Sequence, residues 1–234
     1  MPGKIVNRDE WLAARKALLV KEKELTRAND ALSAERRELP MVKVEKEYTF
    51  QGPGNKTYSL GNLFDGQEQL LVYHFMFTPG DDEGCRGCSH IGDNLPDVRH
   101  LRQKKTNLVC ISRGEIDKLE AFKKRNEWTF PWYSSGDSDF NYDFHATLDE
   151  DVCPVELNFR SKEELEALGK SAYKGDVPGV SVFWKKDGDI YHTYSTFARG
   201  GEKLMPTLAL LDMTPLGRQI GQYGPAEFKL KDEY

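Results

Sequence analysis

The chain has 234 residues, 38% of them hydrophobic and 30% charged, with a formal net charge of -5. That length carries one full hydrophobic core with an added arm. It offers neither the Lys/Arg excess of a phosphate-backbone footprint nor a run of about 18 apolar residues for a membrane span, so no nucleic acid and no membrane is expected as a partner.

Residues Met1–Asp9 are polar and lack the apolar stretch of a secretory leader, which predicts a cytoplasmic setting. From Arg8 to Leu39 there is no Gly or Pro, and helix formers dominate. Trp11, Leu18, Leu25, Leu32 and Leu39 recur every seventh position with Leu12 and Leu19 beside them, a thin apolar stripe on a charged helix. Pro40 ends it. Such a stripe must bury against its own domain or against a second subunit, and a homodimer through this helix is the sharper expectation. Residues 1–40 are therefore read as a helical arm, 41–216 as the main domain and 217–234 as an irregular tail.

Met41–Phe50 alternates weakly and predicts a strand, Gly52-Pro53-Gly54-Asn55 a turn, and Thr57–Leu60 a returning strand. Gln69–Phe77 is a nearly continuous apolar run, the mark of a central strand buried on both faces. After a loop comes Cys85-Arg86-Gly87-Cys88, then a helix over Ser89–Arg102 interrupted at Pro96. Asn107–Ser112 predicts a strand, Glu115–Asn126 an amphipathic helix, and Phe130–Ser134 a short strand. An insertion over about 146–176 holds one helix, Ser161–Lys170, with Ser161 and Glu164 spaced as a capping box. Val180–Trp184 and Ile190–Tyr194 flank Asp187-Gly188, a strong hairpin signal. Gly201–Asp212 predicts a closing helix. The order is that of an α/β fold, a central mixed sheet flanked by helices.

The Cys-x-x-Cys element carries the chemistry. It follows a buried strand and opens a helix, where converging N–H groups and the helix dipole favour a thiolate. Cys85 is the expected nucleophile and Cys88 the resolving thiol. Arg86 is expected to favour the thiolate and contact substrate, against the opposing charge of Asp81-Asp82-Glu83. In a reducing compartment structural disulfides are rare, so Cys110, inside a strand, reads as a small buried hydrophobe and Cys153 as an exposed bystander. A Cys₄ zinc site needs a second close pair, which the sequence lacks. The alternative is a copper-type metal site on Cys85, Cys88 and a histidine; of the five histidines, His74 reads as core and His90 as solvent-exposed. Among the aromatics of residues 128–144, Trp132 and Tyr142 are the candidates to line a substrate groove. Pro178, just before a late strand, is the remaining site candidate.

Strand, Cys-x-x-Cys helix, strand, helix, then Pro–strand–Asp-Gly–strand–helix is similar to the thioredoxin order. EWLAARKALLVKEKELTRANDALSAERRELP, YHFMFTPGDDEGCRGCSH, FPWYSSGDSDFNYDF and HTYSTFARG resemble a family of bacterial and fungal thioredoxin-like proteins often described as predicted dithiol-disulfide oxidoreductases or isomerases, related to thioredoxins and to the alkyl hydroperoxide reductase/peroxiredoxin group. The resemblance covers nearly the whole chain. It implies a thioredoxin-like fold, a redox dithiol at Cys85 and Cys88 and a cis Pro178 beside them; a thiol or disulfide substrate and no cofactor are what the dithiol itself leads one to expect. Two departures stand out. Pro79 and Cys85 enclose Gly80-Asp81-Asp82-Glu83-Gly84, without the Thr or Ser of a peroxiredoxin pocket. Gly84 and Arg86-Gly87 replace the Trp and Gly-Pro of thioredoxins.

Overall fold

The computed structural model describes residues 3–170 and 173–234. Met1 and Pro2, of the polar N-terminal stretch, and Ser171 and Ala172, of the predicted insertion, lie outside the described residues.

Helix α1, Arg8–Arg37, starts where predicted because Asn7 and Glu10 form a reciprocal capping box. Strands β1 (Val42–Lys43), β2 (Thr49–Gly52) and β3 (Lys56–Ser59) precede the short helix α2 (Leu60–Leu63) and strand β4 (Gln69–His74). Helices α3 (Arg86–Asn94) and α4 (Val98–Arg102), broken at Leu95-Pro96, lead to β5 (Thr106–Ser112). Then come α5 (Ile116–Arg125), β6 (Trp132–Ser134), α6 (Phe140–Asp143), β7 (Thr147–Leu148), α7 (Lys162–Ala167) and β8 (Gly175–Asp176). The predicted Ser161/Glu164 capping box opens α7. The hairpin β9 (Gly179–Lys186) and β10 (Asp189–Phe197) turns at Asp187 and Gly188, both at positive φ, as a type I′ turn demands. Helix α8 (Pro206–Asp212) follows.

The main sheet of the described residues runs β1-β10-β9-β4-β5-β6-β2-β3. At its centre β4 pairs parallel to β5 and antiparallel to β9, and β9 pairs antiparallel to β10. A parallel pair joined through α3 and α4, flanked by an antiparallel hairpin, is the thioredoxin-like topology, so the chain has a thioredoxin-like fold. Successive residues of β4 feed opposite faces. Leu70 and Val72 join Phe50, Leu63, Ile111 and Phe183 on one side; Tyr73 and Phe75 join Cys88, Phe122, Trp128 and Trp132 on the other.

Two expectations change here. The apolar stripe of α1 is not packed on its own domain: no residue of the helix is buried, and Trp11, Leu18, Leu25 and Leu32 are 45–64% exposed. The tail beyond residue 217 is not merely irregular. Leu230 is buried at 1% exposure in the same core as Cys88, and Phe228 packs against it.

Candidate active site

The site is built at the end of β4. Cys85 N–H donates to Met76 O at 3.0 Å, and Met76 N–H returns a bond to Cys88 Sγ at 3.4 Å. This exchange clamps the first turn of α3 to the strand. All four cysteines are free thiols; Cys85 is half-buried and Cys88 is 1% exposed. The asymmetry separates their chemistry. Hydrogen bonding from the Cys88 thiol, helped by the Gly87 and Cys88 amides at the helix start, outweighs desolvation and lowers Cys85 to about 6. Burial, with the hydrogen bond to Cys85, pushes Cys88 far above the usual thiol range. The asymmetry favours the thiolate at Cys85 and the thiol at Cys88.

Arg86 is not among the causes of the Cys85 shift. Its guanidinium is committed to Glu233 in a bidentate pair at 2.6 and 2.7 Å, so it grips the tail rather than a substrate. None of the acidic neighbours Asp81, Asp82 and Glu83 is among the causes of the Cys85 shift, and two of them are paired, Asp82 with Lys118 and Glu83 with Arg125. Gly84 is explained by contact: a Cβ there would stand 2.5 Å from the Phe75 ring. A Cβ on Gly87 would stand 3.4 Å from the Ala226 backbone. The two residues between the cysteines are therefore the seat of the tail. Further along, Asp232 pairs with Arg125 at 2.6 Å, and Lys231 with Glu127 at 2.7 Å. His90, expected in solvent, is 7% exposed and stacks on Phe228 at 4.1 Å, where burial lowers its pKa.

Beside the dithiol lies a cavity of about 330 Å³ that brings together Cys85, Cys88 and Pro178 with Tyr73, Met76, Val180, Phe197 and Met205. Pro178 is thus a neighbour of the thiols as expected, but not in the expected isomer. Among the described residues no peptide bond is cis, so the Val177–Pro178 bond is trans. The proline precedes the first residue of β9, where a missing N–H costs no ladder bond and needs no special isomer. Its approach is fixed by Asp176, 6% exposed, which accepts from Thr78 at 3.0 Å and Thr147 at 2.6 Å and faces Arg113.

Two candidates are not at the site. Trp132 is fully buried, donates to Ser112 Oγ at 2.9 Å and packs among Phe75, Phe77 and Trp128. It is core because β6 is an inner strand. Tyr142 sits with His145 and Cys153 around a different cavity, its ring under the Arg113 guanidinium. The metal alternative loses its third ligand: no histidine lines the dithiol cavity, and no cluster of three or more His, Cys, Asp or Glu suited to a metal occurs among the described residues. His74 is core as expected, bonded to Ser181 and lowered to about 3 by burial and His192. Cys110 is buried, and Cys153 is half-buried rather than exposed. Sequence reasoning missed Tyr73 and the tail. Tyr73 stands inside an apolar strand run and so reads as packing, and the tail carries no periodic signal. No helix among the described residues is long and apolar enough to cross a membrane.

The family described as "Bacterial protein of unknown function (DUF899)" matches residues 2–234. No curated protein matches the chain. Solved structures similar to it include a cysteine-to-serine mutant of Xylella fastidiosa PrxQ, with 11% identity and TM-score 0.46 over 73% of this chain and 94% of that one. Peroxidoxin BcpB from Mycobacterium tuberculosis has 14% identity and TM-score 0.45, over 74% and 97%. Xanthomonas campestris peroxiredoxin Q has 12% identity and TM-score 0.46, over 71% and 90%. With TM-scores below 0.5 these likenesses carry no argument; the fold rests on the sheet topology above and the chemistry on the chain's own residues.

Proposed function

This chain belongs to the DUF899 family of bacterial proteins, and for it we propose a thiol–disulfide oxidoreductase working through Cys85 and Cys88 in the cytoplasm. The observation that carries the reading is the split in the pair: a thiolate held at a helix start, with a buried thiol hydrogen-bonded to it. The Cys85 thiolate attacks one sulfur of a disulfide RSSR, forming Cys85–S–S–R and releasing RS⁻. The Cys88 thiol gives up its proton to RS⁻ and attacks Cys85 Sγ, forming the Cys85–Cys88 disulfide and releasing the second RS⁻. Two electrons pass from the dithiol to the substrate. No resident cofactor is required, and a dithiol reductant returns the pair to its starting state.

The pH dependence tests the first step. Alkylation of Cys85 by iodoacetamide is expected to reach half its maximal rate near pH 6, and to fall about tenfold per unit below that as the thiolate is protonated. In Cys88→Ala the largest stabilising hydrogen bond is gone, so the midpoint moves up towards the ordinary thiol range, and the mixed disulfide with substrate accumulates. A midpoint unchanged at pH 8 or above in the unsubstituted protein contradicts the reading.

For the exposed stripe of α1 we propose a second copy of the chain as its cover. Leu18, Leu25 and Leu32 repeat every seventh residue along the 30-residue helix, and none is buried within the protomer. Leu18→Glu with Leu25→Glu is expected to halve the mass seen by light scattering. Equal masses for the two proteins remove the proposal.

A further inference from the structure

The cavity beside Cys85 has a chemistry of its own, and on the redox reading above it selects a substrate. Three features bear on that selection. The first is that the backbone edge at the dithiol is closed. Strand β9 is paired on both sides, with Gly179 opposite His74 on β4 and Phe197 on β10. Pro178 has no N–H, and Val177 N–H is already spent on Ala146 O at 2.9 Å. An extended polypeptide that docks by adding a strand needs free main-chain donors as well as acceptors, and Val177 and Pro178 offer it no free donor.

The second is that the charges at the rim are spent on one another. Arg199 bonds Glu202 at 2.8 Å, and Glu202 also takes Arg218 at 3.1 Å. Among the described residues that line the cavity, no cation is left unpaired for a carboxylate or phosphate arm. The wall is otherwise apolar, from Met76, Ile91, Val180, Phe197 and Met205. The volume of about 330 Å³ suits a small molecule rather than a folded surface.

The third is Tyr73. It is 2% exposed and lines the cavity, and its hydroxyl has no nitrogen or oxygen partner and pairs with the Cys88 thiol, a weak acceptor. A stronger acceptor entering the cavity, such as a sulfur taking up negative charge, is favoured at that point. Burial, reinforced by Cys88, keeps the phenol protonated, so it acts as a donor.

We propose that this cavity binds low-molecular-weight disulfides with uncharged, apolar arms: one arm lies against Val180 and Met205, and the leaving sulfur, the one not bonded by Cys85, accepts from the Tyr73 hydroxyl. The sulfur that leaves as RS⁻ is the one whose developing charge the phenol meets, and the electron balance is that of the exchange already written.

The test is a series of symmetric dialkyl disulfides, diethyl to dibutyl, with cystine and insulin for comparison, each reacted with the reduced full chain. Each rate is divided by that of the same disulfide with free dithiothreitol, which removes intrinsic reactivity. The corrected rate is expected to climb with arm length, at most about fourfold per added methylene when fully buried, and to be lowest for cystine and insulin. Val180→Trp, or Val180→Phe if the first does not fold, fills the cavity and is expected to flatten the dependence while leaving the pH midpoint of Cys85 alkylation in place. Tyr73→Phe is expected to lower every rate about tenfold with the slope kept, the loss of one hydrogen bond to a charged group. Corrected rates that are flat across the series, or fastest for insulin, overturn the substrate assignment and leave the redox reading standing. No reduction of any disulfide, with no Cys85–Cys88 disulfide found by mass, sinks both.

Discussion

Cys85→Ser is expected to lower disulfide reduction by at least about 10³-fold, because a serine hydroxyl is not ionised at neutral pH and cannot serve as the nucleophile. The neighbouring thiol is no substitute. Cys88 is 1% exposed, its ionisation is suppressed by burial, and its sulfur accepts from Met76 N–H inside the fold. Cys110 is also buried with its pKa pushed far up, and Cys153 lines a separate cavity. Reduction of a dialkyl disulfide by the variant, followed as free thiol released, measures the loss directly. Retention of a tenth of the original rate means that another group does the chemistry. Because the Cys85 side chain is only half-buried, the unfolding midpoint should hardly move, which separates lost chemistry from lost structure.

Trp132→Ala is expected to cost about 3–5 kcal/mol of stability, the range for truncating a fully buried large aromatic. The indole is 0% exposed and contacts Phe75, Phe77, Phe122, Trp128 and Phe130. Its removal also takes the donor from Ser112 Oγ, a hydroxyl that itself donates to Phe75 O at 2.6 Å and so ties the end of β4 to β5. Urea unfolding followed by circular dichroism gives the number. A groove residue would behave oppositely, with stability kept and KM raised. A loss below about 1 kcal/mol is incompatible with this degree of burial.

Where the signals are local, the sequence is a good guide. The apolar run of β4, the unbroken helix formers of α1, the capping box of α7, the Asp187-Gly188 turn and the dithiol at a helix start all depend on residues within a few positions of one another. The thioredoxin-like order follows from their succession. What escapes is long-range. Arg86 meets Glu233 and His90 meets Phe228 across more than 130 positions, and nothing around Arg86 signals that its charge is already taken. Aromatic residues are ambiguous for a related reason. Trp132 and Tyr142 share one rich stretch, but β6 turns the first into the core while α6 carries the second to another cavity. Tyr73 errs the other way: it reads as packing, and its hydroxyl beside the Cys88 thiol emerges only when the walls around it are known. Pro178 lies where expected, yet a strand start accommodates a trans proline without cost.

The indole of Trp128 packs on the Phe75 and Phe122 rings and ties itself to the dithiol helix by donating to Asp93 at 2.8 Å. A disulfide between Cys85 and Cys88 would close across the first turn of that same helix, so the indole is placed to report on it. Tryptophan emission should change when the pair is oxidised and recover when it is reduced, so that titration in buffers of graded redox potential can be read from the unlabelled chain.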